Sequence, residues 1–199
     1  NGSIISISET IDFPIKTAVS GPSAGVIGAV HIGEQCKCNK IITFDMGGTS
    51  ADISLIENGK PQLSSERLVE GYPARIPMID IITIGAGGGS IAYIDDGGAL
   101  KVGPESAGAR PGPACYGVGG TKPTVTDANI VLGKLNQEKI LGGRFKVHTD
   151  FAQKAILENI CEKTDLGMIQ AANGIISVIN SSMMRAVRLV SVERGYDIR

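Results

Sequence analysis

The sequence predicts a mixed α/β fold, a mixed sheet with packed helices, and three observations carry that expectation. Short apolar runs bounded by glycine turns recur between residues 41 and 102 and read as strands. Helical spacing of apolar residues takes over between residues 126 and 194. A stretch of small and apolar residues from Ser20 to Val30 reads as a helix packed closely on a sheet or ligand. The 199 residues are expected to form a single domain, β-rich over 41–102 and mainly helical over 126–194, with enough length to bury a core.

Taken in order, residues 1–19 read as a strand-like lead-in, on the Ile-Ser alternation of Ile5 to Ser8. Ser20 is the expected N-cap of the first helix, with Pro22 in its first turn. Ile41 to Met46 and Ala51 to Glu57 are expected strands around Gly47-Gly48. Asn58-Gly59 signals a type I′ hairpin, so Lys60 to Val69 would be the third strand of an antiparallel meander. Ile76 to Ile84 is a further apolar run. Ile91 to Ile94 and Ala99 to Val102 flank the turn Asp95-Asp96-Gly97-Gly98. Residues 103–125 are rich in Gly and Pro, and a long irregular loop of that kind is commonly functional. Thr126 or Asp127 is the expected cap of the next helix. A helix follows from Phe151 to Glu162, and a long one from about Asp165 to Val192.

Composition narrows the function classes. Hydrophobic residues make up 42% and charged residues 20% of a chain with formal net charge −1. Nothing there favours a nucleic-acid or membrane partner, where a basic excess is the usual footprint. Asn173, Asn180, Arg185 and Arg188 mark the long apolar C-terminal helix as a core helix rather than a bilayer span. Among the four cysteines, Cys36 and Cys38 lack spaced partners for zinc, and reduced thiols in a cytoplasmic setting are expected. Glycine is the outlier. Its 27 residues are roughly twice the average share of about 7%.

The densest chemistry is Asp45-Met46-Gly47-Gly48-Thr49-Ser50-Ala51-Asp52. Glycines at a strand-to-strand turn expose successive backbone N–H groups and can form an anion-binding concavity. Thr49 and Ser50 add hydroxyls. Asp45 repels a phosphate unless Mg²⁺ lies between them. On pattern alone, phosphate binding and a hairpin with a polar tip stay equally open, and no P-loop motif is present. The second glycine segment, Gly85 to Ser90, is followed by a strand pattern, which argues against a dinucleotide site. Cleft lining and a plain connection both remain open for it. Cys115 reads as a buried structural thiol, and Arg185, Arg188, Glu193 and Arg194 as a solvated face.

Five ordered motifs go further. "SGPSAGVIGA" (20–29), "DMGGTSAD" (45–52), "TIGAGGGSIAYID" (83–95), "VGPESAGARPGPACYGVGGTKPTVTDAN" (102–129) and "RLVSVERGYD" (188–197) resemble the hydantoinase/oxoprolinase family, A-type subunit or region. That family includes ATP-dependent N-methylhydantoinases and 5-oxoprolinases, with acetone carboxylase subunits as relatives. The resemblance implies one lobe of an actin/Hsp70/sugar-kinase-like ATPase fold, with residues 45–52 as the second of two phosphate hairpins. On that basis Asp45 faces Mg²⁺ as the expected catalytic and metal residue. Gly47, Gly48, Thr49 and Ser50 would hold ATP phosphate, and Gly87, Gly88 and Gly89 would line the site. Asp52 is expected to be structural or to act at one remove.

The resemblance also implies a first hairpin upstream of Asn1 and an adenosine segment after Arg194, so the chain is expected to be part of a longer protein and to bind nucleotide weakly alone. The implied activity is ATP-dependent opening of a cyclic amide, a hydantoin or 5-oxoproline, with a B-type partner subunit or domain. The alternatives are an ATP-dependent ketone carboxylase subunit and a non-catalytic nucleotide-binding or assembly domain.

Overall fold

A computed structural model describes residues 2–69, 71–136 and 146–196. Asp197, which closes the last motif, and residues 137–145 within the expected helical part lie outside these. In chain order, α1 (Ile7–Asp12) and α2 (Ser20–Cys36) precede β1 (Lys40–Met46), β2 (Ala51–Glu57), β3 (Lys60–Pro61), β4 (Leu63–Ser64) and β5 (Arg67–Val69). Then come β6 (Tyr72–Ala74), β7 (Met78–Ile79), β8 (Ile81–Ile84), β9 (Ser90–Ile94) and β10 (Leu100–Ser106). The helices α3 (Val125–Val131), α4 (Thr149–Asn159) and α5 (Met168–Val190) complete the mixed α/β order.

The chain divides into two compact units, residues 1–45, 52–83 and 186–199 in the first and residues 46–51 and 84–185 in the second. In the first unit β2 pairs with β1, β3 and β8 in a four-stranded sheet. Its core joins Val26 of α2 to Ile56, Ile79 and Ile81, with Val19, Val30 and Ile41 packed against them. Both turn residues Asn58 and Gly59 have positive φ, 52° and 71°, as the type I′ hairpin requires. In the second unit β9 and β10 form a hairpin whose turn is held by the Asp95 carboxylate, which accepts from Ala99 N (2.8 Å) and Gly97 N (3.1 Å). Its core packs Ala92 and Val102 of that hairpin against Val125 and Ala128 of α3, Ile156 of α4 and Ala172, Ile175 and Ile179 of α5. By length and composition alone α5 could cross a membrane, but Ala171, Ala172, Ile175 and Ile179 are buried in this protein core.

Several local expectations are corrected. Residues 7–12 are helical, not extended. Ser6 caps α1, its Oγ accepting from Glu9 N at 3.1 Å, and this local bond outweighs a four-residue alternation. Val19, in a left-handed conformation (φ 59°), occupies the N-cap position of α2, so Ser20 is its first helical residue. The expected third strand, 60–69, is broken into three. Pro61 has no N–H to continue a ladder, and β3 ends after the pairs Glu57↔Lys60 and Ile56↔Pro61. β4 then pairs with β7, and β5 with β6. The run 76–84 is likewise split at Asp80. Thr124, rather than Thr126 or Asp127, is the N-cap of α3, and Asp127 closes the capping box from the N3 position.

Candidate functional site

β1 and β2 meet in the four-residue turn Gly47–Ser50. Gly47 N–H donates to Ser50 O (2.8 Å), and Thr43 Oγ1 donates to Ser54 O (3.3 Å). One antiparallel register satisfies both contacts, and it also sets Lys40 opposite Glu57 at the strand ends. The same register sets Asp45 directly opposite Asp52. Asp45, Gly47, Gly48 and Thr49 are exposed, and Ser50 and Asp52 are half-buried. Thr83 Oγ1 donates to Asp52 Oδ1 at 2.5 Å. The backbone N–H groups of Gly48, Thr49 and Ser50 meet no acceptor among the described residues. Three successive unclaimed amides, with two hydroxyls beside them, make a donor-rich tip, the kind of backbone feature that can accept an anion.

The turn is held by the second glycine segment. Gly88 N–H donates to Gly47 O (3.0 Å) and Gly89 N–H to Gly48 O (2.6 Å). Gly87 N–H is taken by the buried Ser90 Oγ (2.9 Å). Gly87, Gly88 and Gly89 therefore have their amides committed to protein acceptors, and what they present to the tip is support. Only glycine fits at 87. A Cβ there would stand 2.6 Å from both Gly48 C and Thr49 N.

A second layer fixes the first. Thr126, in the first turn of α3, gives both its N–H (2.8 Å) and its Oγ1 (2.9 Å) to Gly88 O. The start of α3 is set by Asp127, whose fully buried carboxylate accepts from Thr124 Oγ1 (2.7 Å), Thr124 N (2.8 Å), Cys115 N (2.8 Å) and Ala114 N (3.2 Å). Those bonds make a buried charge tolerable. Burial, and then the Asp127 charge, push the Cys115 thiol well above its ordinary value. It stays a neutral, enclosed thiol, as the sequence suggests. The motif 102–129 thus holds the glycine brace. The long-range Thr126–Gly88 contact left no sequence signal, whereas the T-x-x-D spacing of Thr124 and Asp127 did.

Elsewhere, Arg185 and Arg188 are exposed, but Arg194 is engaged in the first unit, where its guanidinium pairs with the Asp80 carboxylate. The donor chemistry fits the groups expected from the sequence. The carboxylates of Asp45 and Asp52 offer hard oxygens of the kind Mg²⁺ takes, and the free amides of Gly48, Thr49 and Ser50 match phosphate oxygens.

Residues 1–199 match the family model described as Hydantoinase/oxoprolinase. The chain belongs to the hydantoinase/oxoprolinase family. Within it, the alpha subunit of caprolactamase from Pseudomonas jessenii is 46% identical over 90% of this chain and 26% of its own. The crystal structure of that ATP-dependent caprolactamase matches with a TM-score of 0.81 over 89% of this chain. Acetone carboxylase in its nucleotide-free structure is 34% identical, with a TM-score of 0.83 over 89% of this chain and 25% of its own. The 5-oxoprolinase of Saccharomyces cerevisiae is 38% identical over 92% of this chain and 15% of its own. The chain thus spans about a quarter or less of each of these relatives. The hydantoinase/oxoprolinase fold here is the mixed α/β class expected from the sequence, that of one lobe of an ATPase-like architecture.

Proposed function

We propose that this chain is the second-lobe portion of a cytoplasmic ATP-dependent enzyme that opens a cyclic amide, a hydantoin or 5-oxoproline, by phosphoryl activation. One observation carries the reading. The tip Gly47–Ser50 offers three unclaimed amides on a turn that Gly88 and Gly89 hold from behind. Preorganised donors of this kind stabilise charge on a transferring phosphoryl group without reorganising. Gly48, Thr49 and Ser50 hold phosphate, Gly47, which the sequence also placed there, closes the turn beneath them through its bond to Ser50 O, and Asp45 holds the metal. Mg²⁺, when bound, neutralises charge on the phosphate oxygens. Gly87, Gly88 and Gly89 keep the tip in shape. The caprolactamase and 5-oxoprolinase relatives favour a cyclic amide as substrate, and the name of the caprolactamase alpha subunit favours a second, B-type subunit as partner.

The acetone carboxylase match favours a second reading, an ATP-dependent ketone carboxylase subunit that uses the same hairpin. Calorimetric titration of Mg-ATP and Mg-ADP into the full-length protein tests what both share. Metal-dependent binding is expected, with Asp45→Ala weakening it by at least about tenfold, as loss of one metal-positioning group commonly does. Equal binding by wild type and Asp45→Ala would remove Asp45 from the site. No binding by the folded full-length protein would leave a non-catalytic assembly domain. ATP turnover with cyclic amides against ketones then separates the two enzyme readings.

A further inference from the structure

We propose that Asp52 shares the cation with Asp45, and that Thr83 is the positioning residue that orients Asp52. This inference rests on the phosphate-hairpin reading above. The register that pairs Gly47 with Ser50 and Thr43 with Ser54 puts the two aspartates directly opposite each other. Directly opposite residues on paired strands project to the same face, with Cβ atoms roughly 4.5–5.5 Å apart. Like charges at that spacing destabilise a sheet, and among the described residues neither carboxylate has an ion-pair partner. A hard divalent cation that takes oxygen ligands resolves the conflict.

Thr83, on β8, supplies the orientation. Its hydroxyl holds Asp52 Oδ1 at 2.5 Å, which leaves Oδ2 for a ligand outside the protein. Hydrogen bonds of this kind fix the direction of a ligating carboxylate and commonly change metal affinity by about 10–100-fold when removed. A purely structural Asp52 would make the same bond to Thr83 but would be indifferent to metal, so the two roles part experimentally. They also part in stability. If the aspartates repel without a cation, neutralising one of them relieves the metal-free protein.

The test is Mn²⁺ titration of the full-length protein in the presence of ADP, with free Mn²⁺ read by electron paramagnetic resonance, beside thermal melting without metal. Asp52→Asn retains an acceptor for Thr83 but loses the charge. It is expected to weaken Mn²⁺ at least about tenfold and to raise the metal-free Tm. Thr83→Val is expected to weaken Mn²⁺ about tenfold, and Thr83→Ser to restore it. If Asp45→Asn loses Mn²⁺ while Asp52→Asn and Thr83→Val bind as wild type does, the shared site is wrong and the hairpin reading stands. If Asp45→Asn also binds as wild type does, Asp45 leaves the metal site of the hairpin and this inference falls with it. A lower metal-free Tm for Asp52→Asn would mark Asp52 as a structural acceptor and overturn the proposal on its own.

Discussion

Two glycine-rich segments of the second unit, Gly47–Ser50 and Gly85–Ser90, look alike in sequence and differ in what their amides do. At the first, the N–H groups of Gly48, Thr49 and Ser50 are unclaimed among the described residues. At the second, the N–H groups of Gly87, Gly88 and Gly89 all end on protein oxygens. Exposure follows the same division, since Gly48 and Thr49 are open while Gly87 and Gly89 are buried. On the proposed function the first segment is glycine-rich so that a ligand can approach it; the second is glycine-rich so that it can approach the first. Glycine content therefore marks close backbone approach. Only the destination of each amide separates a ligand seat from its support.

Substitution at the support should have the largest effect. Gly87→Ala drives a methyl group into the backbone of Gly48 and Thr49, 2.6 Å away, and backbone cannot rotate aside as a side chain does. Overpacking of this kind costs about 3 kcal/mol, read as a fall in the urea midpoint, and nucleotide binding should disappear with the shape of the tip. A Gly87→Ala protein of wild-type stability would break the distinction between seat and support. Thr126→Val is the intermediate case. It removes the Oγ1 bond to Gly88 O but keeps the N–H bond at 2.8 Å. The expected loss is about 1 kcal/mol in the same urea experiment, with nucleotide affinity reduced less than by Gly87→Ala.

How much of this was legible beforehand follows from the range of the interactions. β1, β2 and the Asn58-Gly59 turn were readable because short apolar runs bounded by glycines and a two-residue turn are local signals. The long helix α5 was readable from its apolar spacing. The helix α1 was missed although its signal is equally local. Ser6 and Glu9 stand at capping-box spacing, and the Ile-Ser alternation over them was too short to outweigh it. The break after Pro61 was also present in the sequence, as a missing donor. The role of Gly87 to Gly89 was not. The acceptors of Gly88 and Gly89 lie on Gly47 and Gly48, some forty residues earlier, and the anchor of Gly88 lies on Thr126, 38 residues later. A composition of glycines carries no information about which distant carbonyl each amide meets. The opposition of Asp45 and Asp52 lies between these cases. The turn length implies it once the turn's own hydrogen bond is known.

The smallest stability effect belongs to the seat itself, and it sharpens the comparison most. A Cβ added at Gly48 meets nothing within 4 Å, and its φ lies outside the left-handed range. Gly48→Ala therefore creates no clash, and it restricts the unfolded chain, which offsets small losses. The unfolding free energy from urea titration should change by no more than about 0.5 kcal/mol in either direction. Under the proposed function the same methyl group stands where a phosphate comes close to the backbone, so Mg-ATP affinity measured by titration should fall even though the fold is intact. A variant that is stable and binds poorly identifies a surface that exists for a ligand. If Gly48→Ala instead binds as tightly as wild type, the open amides at 48–50 are an ordinary exposed turn, and the contrast between the two glycine segments reduces to one of burial alone.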